Sequence, residues 1–153
     1  MDAFTLLKND HKTVAGLFET IEPTTERAVK TREEAFGKLK AELDLHAHIE
    51  ETILYPVLKK EAETRDITFE GVEEHHVIKT LLAELAGMAV DSEEWTAKTK
   101  VLQENVEHHV EEEETKMFKL AREVLTKEQI DELGNRLEGE KTKFRAKAAA
   151  ART

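Results

Sequence analysis

No cysteine occurs in the 153 residues of this chain, which removes disulfides, thiolate zinc sites, iron–sulfur clusters and covalently attached c-type haem. Proline and glycine are scarce, at 2 and 6 residues, and aromatics make up 5%. With few β-branched runs, this composition disfavours a sheet. Long apolar stretches are missing too. Nothing approaches the roughly 18 residues of a membrane-crossing helix, and the opening MDAFTLLKNDH lacks the basic and apolar regions of a secretory leader. A soluble cytoplasmic protein is expected. Positive charge is outnumbered, 23 Lys and Arg against 33 Asp and Glu for a net charge of -10. Nucleic acid and anionic membranes, which need clustered basic residues, are therefore not expected as partners. The one basic run, Lys141 to Arg152, reads as a solvated helix end or tail.

What remains is helical pattern, with 37% charged against 39% hydrophobic residues. A first helix is expected from about Asp2 to Ile21, stopping before Pro23. Thr31 with Glu34 has the form of a capping box opening a second helix through Leu39, Leu43 and Ile53 towards Pro56. A third starts near Thr68. Asp91 with Glu94 resembles another capping box, before a fourth helix from Trp95 to about Val124, and Thr126 with Gln129 a further one, before a terminal helix through Ile130, Leu133 and Leu137. Short connections predict an all-α, up-down-up-down four-helix bundle over residues 1–125, with an additional C-terminal helix and basic tail over 126–153.

The sequence also repeats itself. HAHIEETILY, from His46, and HVEEEETKMF, from His109, share His-x-x-x-Glu-Glu-Thr and pair Tyr55 with Phe118. Asp10-His11 aligns with Glu74-His75, followed by apolar residues at matching places. Each half thus carries the same histidine and glutamate plan, which predicts a pseudo-twofold bundle with half a site from each hairpin.

At about 100° per residue, His46 and Glu50 fall in the apolar stripe of Leu39, Leu43, Ile53 and Val57. His109 and Glu113 fall in that of Trp95, Leu102, Val106 and Leu120, and His11 and His75 lie on the inward faces of the first and third helices. A single inward histidine is usually a hydrogen-bonded core residue. Four on four helices, two of them followed by an inward glutamate, are another matter: buried carboxylates need a proton or a cation. No inward arginine is available at that level, so a pair of metal ions is expected. Imidazole and carboxylate donors without sulfur suit iron or manganese.

Other residues carry weaker expectations. Glu111 and Glu114 lie off the stripe and read as solvated, and Glu112 sits at its edge. His48, His76 and His108 read as surface residues. Asp10 is either an acceptor orienting an imidazole or an exposed acid. Tyr55 lies about 180° from His46 on an ideal helix and reads as packing, unless Pro56 distorts the turn enough to bring its phenol to a metal. Lys79 and Lys116 either extend outward or bond a carboxylate of the site.

Asp10-His11, His46-x-x-x-Glu50-Glu51 running into Leu54-Tyr55-Pro56, Glu74-His75 and His109-x-x-x-Glu113-Glu114 together resemble the hemerythrin-like HHE cation-binding family, most of all its mycobacterial branch. The resemblance spans about residues 2–125. It implies an oxo- or hydroxo-bridged diiron centre, with manganese as second choice, in which His11, His46, His75 and His109 are terminal ligands and Glu50 and Glu113 are bridges. Oxygen-carrying hemerythrins have a fifth histidine one turn after the third-helix one; here that position is Lys79, which argues against reversible oxygen carriage. Open positions on both irons then suit a catalase-like disproportionation of hydrogen peroxide, an activity that members of the mycobacterial branch show. The alternatives are a dioxygen or nitric oxide binding or sensing module, and an iron storage or sensing protein. Any electron-transfer partner is left unnamed by the sequence.

Overall fold

A computed structural model describes residues 1–151; Arg152, at the end of the basic run, and Thr153 lie outside the described residues. The described chain is all-helical: α1 (Ala3–Ile21), α2 (Val29–Ile49), a π-helical turn π1 (Glu50–Leu54), α3 (Tyr55–Leu58), α4 (Ala62–Ala86), α5 (Glu93–Glu112), a second π turn π2 (Glu113–Met117), α6 (Phe118–Val124) and α7 (Lys127–Ala151). The stretches α2–π1–α3 and α5–π2–α6 are each one continuous rod.

Helix starts show where local signals win. The Asp2 side chain accepts the Thr5 amide at 2.8 Å and caps α1. Thr126 and Gln129 exchange the reciprocal bonds of a capping box, at 2.8 and 3.1 Å, and α7 begins there as expected. The other two boxes do not form. α2 starts at Val29 without a side-chain cap, which leaves Thr31 inside its first turn. The buried Arg32 guanidinium fixes that end, reaching Thr24, the Val90 carbonyl and Thr96. α5 is capped by Ser92, whose Oγ accepts the Trp95 amide at 3.1 Å, and not by Asp91. α4 starts at Ala62 and not near Thr68, because Thr68 donates back to the Thr64 carbonyl at 2.6 Å and so sits within the helix.

Two apolar clusters fix the topology. One holds Phe4, Leu7, Leu45, Leu54, Leu58, Phe118 and Ala121. The other holds Val14, Phe18, Phe36, Leu39, Ile78, Leu82, Trp95 and Leu102. α1 and α4 run from the first cluster to the second, and the two long rods run back, which is the expected up-down-up-down order. α7 adds Ile130, Leu133 and Leu137 to the first cluster. Gly134 permits this approach, since a Cβ there would collide with the Met1 carbonyl oxygen. Among the described residues no helix is long and apolar enough to cross a membrane.

Candidate metal centre

Between the two apolar clusters lies a polar layer to which α1, α4 and the two long rods all contribute. α1 places His11, the end of α2 places His46, α4 places His75 and the end of α5 places His109; the first residues of the π turns are Glu50 and Glu113. All six are buried, the glutamates completely.

The six side chains form two groups sharing Glu113. Glu50, His75, His109 and Glu113 bring one donor atom each within 4.8 Å of one another, as do His11, His46 and Glu113. Nε2 atoms face each other in pairs, His11 against His46 at 3.2 Å and His75 against His109 at 3.1 Å. Carboxylate oxygens lie beside them: Glu50 Oε1 is 3.0 Å from His75 Nε2 and 3.2 Å from His46 Nε2, while Glu113 Oε1 is 3.1 Å from His11 Nε2.

Every imidazole is held from behind by a second acid. His11 Nδ1 lies 2.6 Å from Glu114, His46 Nδ1 3.1 Å from Asp10, His75 Nδ1 2.7 Å from Glu51 and His109 Nδ1 2.6 Å from Glu74. An Nδ1–H donated outward leaves the Nε2 lone pair facing the centre, which is the tautomer a metal ligand needs. The arrangement obeys the internal repeat, with Asp10 matching Glu74 and Glu51 matching Glu114. Glu114 is therefore not simply solvated, as its helical angle suggested, because it reaches across to a histidine on another helix. Asp10 is a buried acceptor of an imidazole and not an exposed acid.

The π turns account for Tyr55. In π1 the Tyr55 amide bonds the Glu50 carbonyl five residues back, which absorbs one extra residue and rotates the succeeding turn by about 100°. The phenol, placed on the far side by an ideal helix, turns into the centre. Its hydroxyl donates to Glu113 Oε2 at 2.5 Å and lies 3.3 Å from Glu50 Oε1, and its ring stacks on His75 with centroids 5.2 Å apart. Gly71 makes room, since a Cβ there would be 3.0 Å from the hydroxyl oxygen. π2 brings Phe118 to the matching place against His11, at 6.3 Å and nearly parallel, with no hydroxyl. Here the two halves differ. The π turns were missed from sequence; the signal available was Pro56 in one repeat alone.

Burial alone would lower the histidines and raise the carboxylates, yet proximity wins. Against desolvation, Glu50, Asp10 and Glu113 hold His46 well above its usual value; Glu113, Glu50 and Glu74 do the same for His109. His75 is raised by Glu50 and Glu51 against its own burial. Glu113 is held well below the usual carboxylate range, chiefly by His109 against burial. The His75 hydrogen bond, with Lys79 assisting, brings Glu51 down to about 2. Burial, then Glu113 and Glu50, push the Tyr55 phenol well above 10.0. As protein groups alone, the centre is a knot of cations and anions waiting to exchange protons.

This donor set is suited to metal binding. Glu50 Oε2 is buried without a hydrogen-bond partner, and with each Nδ1–H donated to an outer acid the facing Nε2 atoms are placed to bind a cation in place of a proton. Four imidazoles and two carboxylates, without sulfur, suit iron or manganese. A cavity of about 20 Å³ adjoins the four histidines, walled by Val14, Leu43, Ile78, Leu82 and Val106 with Lys79 beside it.

The remaining candidates lie outside. Lys79 bonds Glu51 at 3.1 Å, whereas Lys116 is exposed and 3.8 Å from Glu112. His76 and His108 are exposed. His48 pairs with Glu140 of α7 at 2.8 Å. Glu112 stays at the periphery with Glu74 and His108.

Known proteins resemble this chain in sequence and in fold. The family model described as the hemerythrin HHE cation binding domain matches residues 2–121. A crystal structure of a hemerythrin HHE cation binding domain-containing protein from Mycobacterium kansasii superposes with a TM-score of 0.85, covering 98% of this chain and 91% of that one at 24% identity. A protein named DNA nickase, from Nostoc sp. strain PCC 7120, is 24% identical over 151 residues, 97% of this chain but only 41% of that protein.

Proposed function

The chain belongs to the hemerythrin HHE cation-binding domain family, and from that premise we propose that it is a non-haem diiron protein that disproportionates hydrogen peroxide. His11, His46, His75 and His109 would hold the metals through Nε2, with Glu50 and Glu113 shared between them. A bound iron pair would supply two-electron redox chemistry, so that two peroxides become two waters and one dioxygen.

One observation carries this reading: two histidine pairs, each with inward Nε2 atoms, meet around two fully buried glutamates. Two six-coordinate ions would offer about twelve positions, of which the four imidazoles and both oxygens of the two carboxylates would fill about eight. Lys79 occupies the place of a fifth histidine and turns instead to Glu51. Room therefore remains for a small oxidant. The outer acids fix each imidazole before the oxidant arrives, which makes the centre rigid. The Tyr55 phenol gives the His75–His109 half one more oxygen. We place it as a further candidate ligand, or as a proton donor to Glu113. The small cavity beside the four histidines is the space where a small oxidant would enter.

Its apolar walls favour a second reading, in which dioxygen or nitric oxide is held without turnover. Adding peroxide to the iron-loaded protein and recording oxygen evolved per iron separates the two. Turnover that disappears in Glu113→Ala supports the first reading. A stable adduct spectrum without turnover supports the second.

Action on DNA is not part of this proposal. The chain spans 41% of the nickase-named relative, its net charge is -10, and the donor atoms are buried beyond the reach of a strand.

A further inference from the structure

α7 follows the segment matched by the family model, yet one of its side chains reaches the polar layer. Lys141 Nζ bonds Asp10 Oδ1, and the other oxygen of the same carboxylate, Oδ2, accepts from His46 Nδ1 at 3.1 Å. We propose that Lys141 is a positioning residue: through Asp10 it fixes the orientation and tunes the donor strength of His46, so that α7 adjusts one half of the metal centre. The inference rests on the dimetal reading for its consequence, though not for its geometry.

Packing alone does not call for this lysine. α7 is already seated by Ile130, Leu133, Leu137 and the close approach at Gly134. Taking an ammonium to 15% side-chain exposure costs desolvation, and a cation set there acts on whatever shares its partner. The other three outer acids are served differently. Lys79 meets Glu51 near the surface, where the lysine is 46% exposed. His108 lies 3.5 Å from Glu74, and Glu114 pairs with His11 and with no lysine or arginine among the described residues. Asp10 alone among the four is buried, at 6% exposure, and a cation beside a buried acid is weakly screened. By sharing the Asp10 carboxylate, Lys141 competes with the His46 Nδ1–H for its charge and weakens that hydrogen bond, which sets how strongly the imidazole can donate through Nε2.

Opposite perturbations test this. Lys141→Met should strengthen the Asp10–His46 bond, and Asp10→Asn should weaken it. In the metal-free chain, the His46 Nδ1–H proton resonance should move downfield in the first variant and upfield in the second, with Lys141→Arg restoring the wild-type position. In the iron-loaded chain the midpoint potential should fall in Lys141→Met and rise in Asp10→Asn. Metal release to a chelator should quicken by about 10-fold or more in Asp10→Asn. If Lys141→Met only lowers Tm, leaving the resonance and the potential in place, the lysine merely anchors α7 and the proposal is wrong. If the wild type takes up no metal, the dimetal reading falls, and the His46 resonance still decides the relay.

Discussion

The Tyr55 hydroxyl bonds Glu113 Oε2 at 2.5 Å across 58 positions of sequence, joining the end of one long rod to the π turn of the other. That contact exists because π1 inserts a residue and because Gly71 has no side chain. Removing the hydroxyl takes the shortest hydrogen bond from a buried carboxylate oxygen and leaves it only His109 Nε2 at 3.3 Å, a loss of about 1–3 kcal/mol. Tyr55→Phe should therefore lower Tm while the helical circular dichroism stays unchanged. Gly71→Ala should displace the phenol by a few tenths of an ångström and alter the visible absorption of the iron-loaded protein. Wild-type spectra and Tm in both variants would mean that the phenol is only packing.

Stability without metal should peak at mildly acidic pH. His46 and His109 have values raised above 6.5 in the folded chain, so their contribution is complete below 6.5 and is lost as pH rises through the raised values. Glu50 and Glu113 are depressed below 4.5; their contribution is complete above 4.5 and is lost as pH falls through the depressed values. Thermal melts of the chelator-treated chain should show a maximum between those limits. Metal needs the neutral imidazoles, so the loaded chain should gain over the chelated one as pH rises. An equal gain at every pH would contradict the histidine assignment.

Each outer acid should matter to its own imidazole. Glu74→Gln should weaken retention of metal by about 10–100-fold, measured as competition with a chelator, whereas Glu111→Gln, at an exposed position, should leave retention unchanged. Equal effects would mean that overall charge, and not the Nδ1 contact, is what counts.

Supercoiled plasmid incubated with the iron-, manganese- or magnesium-supplied protein should remain supercoiled. Nicking that is lost in Glu113→Ala would transfer the relative's named activity to this chain and overturn the expectation, drawn from its charge, that nucleic acid is not a partner.

Helix periodicity placed His11, His46, Glu50, His75, His109 and Glu113 inward, and the internal repeat placed them at one level, because none of them lies beyond the start of a π turn, where 100° per residue ceases to hold. Past Glu50 and Glu113 the angle fails, and so Tyr55 was turned the wrong way. Glu114 and Glu51 escaped for a different reason: their partners sit on other helices, and a helical wheel shows a face without showing what crosses to it. The cap at Ser92 and the start at Val29 were set by local competition and by Arg32, tertiary facts that Asp91 or Thr31 could not reveal. Lys141 lay in a run that looked like a solvated tail, since nothing in its neighbours marks the one lysine that meets Asp10.

The most direct test is metal content joined to a near-ultraviolet spectrum of the protein purified and loaded with iron. This account predicts two irons per chain with oxo-bridged diferric charge-transfer bands, both lost in the Glu50→Ala, Glu113→Ala double variant. A wild-type chain that stays folded, binds no metal and shows no such bands would contradict it.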